Sequence, residues 1–239
     1  MKFLKRIVSS EVDNEYTHGL NSDPIVVLAI VFSALVHDVD HRGISNQQLM
    51  KEEPNMAVCF KHKSVAEQNS LALAFDLLMT DQFKPVRDYI FATQEELARF
   101  RQVLVNVVLA TDIFDKELNA QRKARWAKAF TESPAGQQSN SMRATIVMEH
   151  LIQDSDVCHT MQHWHIYRKW NKRLFFELLV AKQNGRMGAD PAEFWYKGEI
   201  SFFDNYVIPL AKKLEDCKVF GVSSDECINY AIGNRDEWE

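Results

Sequence analysis

An apolar run of thirteen residues, Pro24 to Val36 (PIVVLAIVFSALV), ends directly on His37-Asp38-Val39-Asp40-His41. A run of that kind is driven out of water, so it carries two imidazoles and two carboxylates to the edge of a core. Four ionisable groups in five positions are costly to bury unpaired, and a bound cation is the simplest partner for them. A core histidine satisfied by one hydrogen bond would explain a single imidazole, but not this cluster. If the helix continues through the stretch, His37 and His41 lie at i and i+4 on one face. Imidazole and carboxylate together suit zinc, manganese or magnesium. Gly43 stands where such a helix would end. Further ligands have to come from elsewhere in the chain.

The chain as a whole reads as all-α, a compact multi-helix domain. It has 239 residues, 46% of them apolar, with only 8 Gly and 6 Pro, which fits helices better than a sandwich of strands. No alternating strand pattern, internal repeat or low-complexity segment is present. The net charge of −5 argues against general nucleic-acid binding. Cys59, Cys158, Cys217 and Cys227 are scattered and read as reduced thiols of a cytosolic protein. The apolar run is too short to span a bilayer, so no direct membrane insertion is expected, and no signal peptide precedes it.

In order, Met1–Ser9 reads as the end of a helix and Ser10–Ser22 as a loop. Asp23-Pro24 opens the apolar helix. Asn46–Glu52 is a short helix broken at Pro54. Ser64 with Glu67, and Thr93 with Glu96, are capping boxes that open helices over Ser64–Thr80 and up to Leu109. Asp115–Phe130 is a charged helix, and Thr131–Asn140 a surface loop. Ser141–Gln153 is an apolar helix ending in Asp154-Ser155-Asp156, with Asp154 as a solvated cap. Helices over His165–Asn184, Phe194–Leu214 and Ser224–Ile232 complete the chain.

Five segments carry a resemblance. They are His37-Asp38-Val39-Asp40-His41-x-Gly43-x-x-Asn46, Ser64-Val65-x-Glu67, Val108-Leu109-Ala110-Thr111-Asp112, Ser155-Asp156 followed by Tyr167-Arg168-x-Trp170, and Phe202-Phe203-Asp204-x-Tyr206-x-x-Pro209-Leu210. In this order they resemble the class I 3′,5′-cyclic nucleotide phosphodiesterase catalytic domain, within the HD superfamily of metal hydrolases. The variant Ser155–Trp164 (SDVCHTMQHW) is more similar to protist or algal members. The resemblance implies two divalent metal ions, zinc plus magnesium or manganese. It implies His37, Asp38 and Asp156 as direct ligands, with Asp38 bridging. His41, Glu67, Thr111 and Asp112 would hold metal-bound waters. Phe202 would stack on the purine, with Val157 or Ile200 as apolar neighbours, and the family's purine-selective Gln falls on Glu199. The substrate would be a small cyclic nucleotide, cAMP or cGMP. A cytoplasmic setting follows, or the cytosolic part of a membrane-anchored parent chain with regulatory or cyclase domains.

Three departures stand out. The family's His-Asn-x-x-His segment, which supplies the general acid and one metal ligand, has no counterpart in Met1–Pro24, where His18 stands alone. The chain therefore reads as a catalytic domain lacking its N-terminal helices, with turnover lowered by a factor on the order of 10²–10⁴. Asn69 and Ser70 stand where many members have histidines. Glu199 replaces an amide by a group that, ionised, only accepts; otherwise it is a half-exposed helix residue that binds nothing. A non-catalytic nucleotide- or partner-binding remnant and an HD hydrolase of another substrate are the competing readings.

Overall fold

The computed structural model describes residue 20 and residues 23–131, 140–223 and 225–239. The expected helix over Met1–Ser9, nearly all of the loop over Ser10–Ser22 and most of that over Thr131–Asn140 lie outside them, as does His18. Among the described residues the chain is helical, with no strand. The helices are α1 (Pro24–Val36), α2 (Asn46–Glu52), α3 (Pro54–Cys59), α4 (Val65–Met79), α5 (Lys84–Ile90) and α6 (Gln94–Leu109). There follow α7 (Lys116–Trp126), α8 (Asn140–Val157), α9 (Trp164–Gln183), α10 (Pro191–Phe202), α11 (Ile208–Asp216) and α12 (Glu226–Asp236). No described helix is long and apolar enough to cross a membrane.

The run Pro24–Val36 becomes the helix that two cores share. Asp23 caps it, accepting from the amides of Ile25 at 3.0 Å and Val26 at 3.3 Å. One side places Ala29 and Val36 against Phe100, Leu104 and Val108 of α6 and Leu71 and Ala74 of α4. The other places Val26 and Ile30 against Ile146, Val147 and Leu151 of α8 and Leu210 and Leu214 of α11. A helix apolar all round can be buried on two sides at once, which explains its central place, although Val31 and Leu35 still face outward at 39% and 76% exposure.

Four expectations need correcting. Helix α1 ends at Val36, and residues 37–40 turn back tightly, with Val39 N bonded to Val36 O and His41 N to Asp38 O. Asp40 takes a left-handed backbone (φ 62), a conformation Asp tolerates better than most side chains, so His41 leaves the axis that carries His37. The capping box at Ser64 does not form. Ser64 is left-handed (φ 40), its side chain makes no bond to the first turn, and its hydroxyl donates to Asp112 instead, at 2.8 Å. The Thr93 hydroxyl does cap its helix, accepting from Glu96 N at 3.3 Å. Third, α8 runs through Asp154, Ser155 and Asp156 to Val157, and Asp154 is not a solvated cap. It is fully buried, and neither carboxylate oxygen has a hydrogen-bond partner among the described residues. Residues two apart on a helix point 200° from each other, so the fold that exposes Asp156 drives Asp154 inward. Last, the helix expected over Phe194–Leu214 is two helices, α10 and α11, joined by a π-helical turn at Phe203–Val207.

Candidate metal centre

At the end of α1 the backbone points the His37 ring at α8. Its Nδ1 donates to Ala34 O at 3.1 Å, which leaves Nε2 as the free ring nitrogen. Nε2 lies 3.4 Å from Asp156 Oδ1 and 3.5 Å from Asp38 Oδ2. One ligand atom from each of His37, Asp38 and Asp156 falls within 4.8 Å of the others. Asp156 above all, with Asp38, raises the pKa of His37 against the opposing pull of burial. A proton on Nε2 and a divalent cation would compete for the same three-sided space. The donor set of one imidazole and two carboxylates therefore fits a divalent ion.

A second group stands beside it. Asn46, at the start of α2, accepts from Ala66 N at 2.9 Å and donates to Glu67 at 2.9 Å. Asn46 thus does for α4 what Ser64 was expected to do. Glu67 is held above the ordinary carboxylate range by burial and, less strongly, by Asp112, with Asn46 pulling the other way. Asp112 is buried and takes Ser64 on Oδ2 and the amides of Phe114 and Asp115 on Oδ1, both at 3.1 Å. The Thr111 hydroxyl donates to Val108 O at 2.8 Å, so it has only lone pairs to offer a ligand. His41 is exposed, accepts from Gly43 N at 3.2 Å, and lies close enough to Glu67 to favour its ionised form. Replacing Asn46 by alanine removes the cap and frees Glu67 at once. We expect a loss of about 1–3 kcal/mol in denaturant unfolding.

The loop from Val39 to Gly43 is braced from α4. Asn69 donates to Asp40 at 3.0 Å, and the Ser70 hydroxyl bonds Val39 O at 2.7 Å. Gly43 has φ 64, and a Cβ there would sit 2.9 Å from Glu177 Oε1 of α9. Trp170, Leu174 and Glu177 follow i, i+4, i+7 spacing and share one face of α9. Glu177 thus brings that face to the metal loop. Trp170 and Leu174 on it are 47% and 45% exposed. Trp170 also lies 6.4 Å from the ring of His159, which feels the charge of Asp156. Trp170 belongs to the Tyr167-Arg168-x-Trp170 segment, whereas nothing in the sequence singled out Leu174.

Phe202 is half-buried, as are Val157 and Ile200, and it stacks on Tyr206 with ring centroids 5.4 Å apart. Glu199 is not half-exposed: it is buried and accepts from the Tyr167 hydroxyl at 2.5 Å. Burial raises its pKa, while the bonds from Tyr167 and Asn171 lower it.

Residues 13–221 match the model of the 3′5′-cyclic nucleotide phosphodiesterase family. The chain belongs to this family. It is 26% identical over 153 residues to the mouse dual specificity calcium/calmodulin-dependent 3′,5′-cyclic nucleotide phosphodiesterase 1B, an alignment that covers 64% of this chain and 26% of that protein. To the probable 3′,5′-cyclic-AMP phosphodiesterase pde-4 of Caenorhabditis elegans it is 27% identical over 156 residues, covering 63% of this chain and 22% of the other. The chain therefore spans about a quarter of the length of these curated relatives. The crystal structure of the phosphodiesterase domain of Salpingoeca rosetta rhodopsin phosphodiesterase shares the fold. It gives a TM-score of 0.72 at 20% identity, over 99% of this chain and 78% of that one. Within this phosphodiesterase fold, Asn69 and Ser70 are put to use as braces of the loop from Val39 to Gly43.

Proposed function

We propose that the chain hydrolyses 3′,5′-cyclic nucleotides to 5′-nucleotides in a metal-dependent reaction. The convergence of His37, Asp38 and Asp156 carries this reading. The cofactors proposed are two divalent cations, zinc plus magnesium or manganese, which His37, Asp38 and Asp156 would hold. When bound, they lower the pKa of water and neutralise phosphate oxygens. His41, Glu67, Thr111 and Asp112 orient the attacking water and hold the loop around it. The water oxygen forms the new bond to phosphorus, the bond from phosphorus to O3′ breaks, and O3′ takes up a proton. Phe202, backed by Tyr206, offers its ring to the base. Val157, Ile200, Trp170 and Leu174 supply apolar wall, and Glu199 meets the polar edge of the purine.

Among the described residues the metal cluster holds one imidazole, His37, which is committed as a ligand. Protonation of O3′ is therefore the step we expect to limit turnover, by a factor on the order of 10²–10⁴. Purified chain with manganese, magnesium or zinc should convert cAMP or cGMP to the 5′-nucleotide slowly, stop on chelation and resume when metal returns. Hydrolysis indifferent to chelation would overturn the metal assignment. Binding of nucleotide by calorimetry without metal dependence and without product would favour a non-catalytic binding role, the reading that the single imidazole supports.

A further inference from the structure

Helix α9 is charged unlike the rest of the chain. Its 20 residues carry five cations and one carboxylate, whereas the whole chain is acidic at −5. The carboxylate, Glu177, lies against Gly43, and one cation, Lys182, donates to Gly188 O at 2.6 Å. The other four, Arg168, Lys169, Lys172 and Arg173, are exposed, and none meets a carboxylate among the described residues. Lys169, Lys172, Arg173, Phe176 and Val180 recur at i, i+3, i+4, i+7 and i+11, which puts them on one stripe. It is the outer stripe, because Tyr167, Asn171 and Ala181 on the opposite side are buried. Phe176 and Val180 stand 50% and 52% exposed, one turn apart. The Lys172 ammonium hangs 5.8 Å over the Phe176 ring, and the Arg173 guanidinium 4.7 Å over Trp170. Cations here frame exposed apolar side chains rather than a purely polar face.

We propose that the outer stripe of α9 docks on the anionic surface of a lipid bilayer. Charge complementarity selects the partner: four cations without carboxylates face outward from a chain that an anionic surface otherwise repels, so contact is confined to this face. The apolar pair narrows the choice. A bilayer sets anionic headgroups at the level of the cation tips and hydrocarbon just beneath. Phe176 and Val180 sink toward the hydrocarbon while the long stems of Lys and Arg hold their charges at the headgroups. A nucleic-acid strand satisfies the cations but leaves Val180 in water. Contact of this kind lies along the surface and needs no spanning helix. Because Glu177 on the flank of the same helix meets Gly43, docking sets the loop from Val39 to Gly43 beside the lipid. Docking does not depend on the cyclic nucleotide reading, since no residue of the stripe belongs to the proposed site.

The test is sedimentation of the whole chain with vesicles of phosphatidylcholine, either pure or mixed with phosphatidylserine. The chain should bind the mixed vesicles and leave the neutral ones. Each cation near an anionic surface is worth about fivefold in partitioning, so Lys169→Gln combined with Lys172→Gln should cut binding about 25-fold. Phe176→Ser should cut it about fivefold through lost apolar contact. Binding should fall as added salt shortens the reach of charge from about 10 Å at 0.1 M to about 3 Å at 1 M. These side chains are exposed, so thermal unfolding of the variants should match wild type. Equal sedimentation with both kinds of vesicle, or with neither, overturns the proposal, as does wild-type binding by either variant. Should Phe176→Ser unfold, the lysine pair decides. A thymidine oligonucleotide is the competing probe. If it binds more tightly than the mixed vesicles and loses that binding in the lysine variant, the stripe is a nucleic-acid face and the proposal fails.

Discussion

Asp156→Ala should abolish metal uptake and cut hydrolysis of both cyclic nucleotides by at least about 10³-fold, since changes merely behind a metal ligand already cost 10–100-fold. The physical reason is that Asp156 does two things at the centre. It offers one of three atoms placed where a cation could be held, and it is the main cause of the raised pKa of His37. Removing it leaves Asp38, which is largely in water, as the one carboxylate near Nε2. A readout independent of metal follows. In the metal-free chain, nuclear magnetic resonance should find the His37 titration moved down toward its ordinary value. Metal stoichiometry and turnover both unchanged in the variant would remove the basis for a centre at this place.

Asp154→Asn should stabilise the protein, and by an amount that depends on pH. The fully buried Asp154 carboxyl has its pKa pushed up to about 7 by burial. The folded state therefore holds its proton more tightly than the unfolded chain does. Below pH 4 the group is protonated in both states and costs nothing through ionisation. From pH 4 to 7 the unfolded state releases the proton first, and stability drains away as pH rises. Above pH 7 the full cost is present, about 4 kcal/mol. Denaturant unfolding should thus show wild type and Asp154→Asn nearly equal at pH 4, and the variant ahead by several kcal/mol at pH 8. A gap that stays constant across that range would mean that Asp154 does not ionise within the fold.

Helix-scale features were open to reading from the sequence where one local signal decided them. The Thr93 cap and the Asp23 start of α1 form as written, because their partners lie within one turn. The Ser64–Glu67 box was misread because the winning partner of Ser64 is Asp112, 48 residues away. Asp154 and Asp156 look alike in sequence. Only the 200° between them, and the side on which α8 packs, separate a buried acid from an exposed one. The pair His37 and Asp38 was legible from chemistry alone, whereas Asp156 needed the resemblance. Trp170 stood in the Tyr167-Arg168-x-Trp170 segment without a role of its own, and Leu174 gave no signal, since an apolar stripe on an amphipathic helix reads as core until Glu177 is seen against Gly43. Glu199 could not be placed because its partners, Tyr167 and Asn171, reach it from another helix.

Helix α1 joins both cores and stops at the ring that faces the carboxylates. Whatever settles on that ring is thereby wired to the cohesion of the entire bundle. For an ion held there, its loss and the loosening of the scaffold would be two views of one equilibrium, in which chelation acts as a mild denaturant.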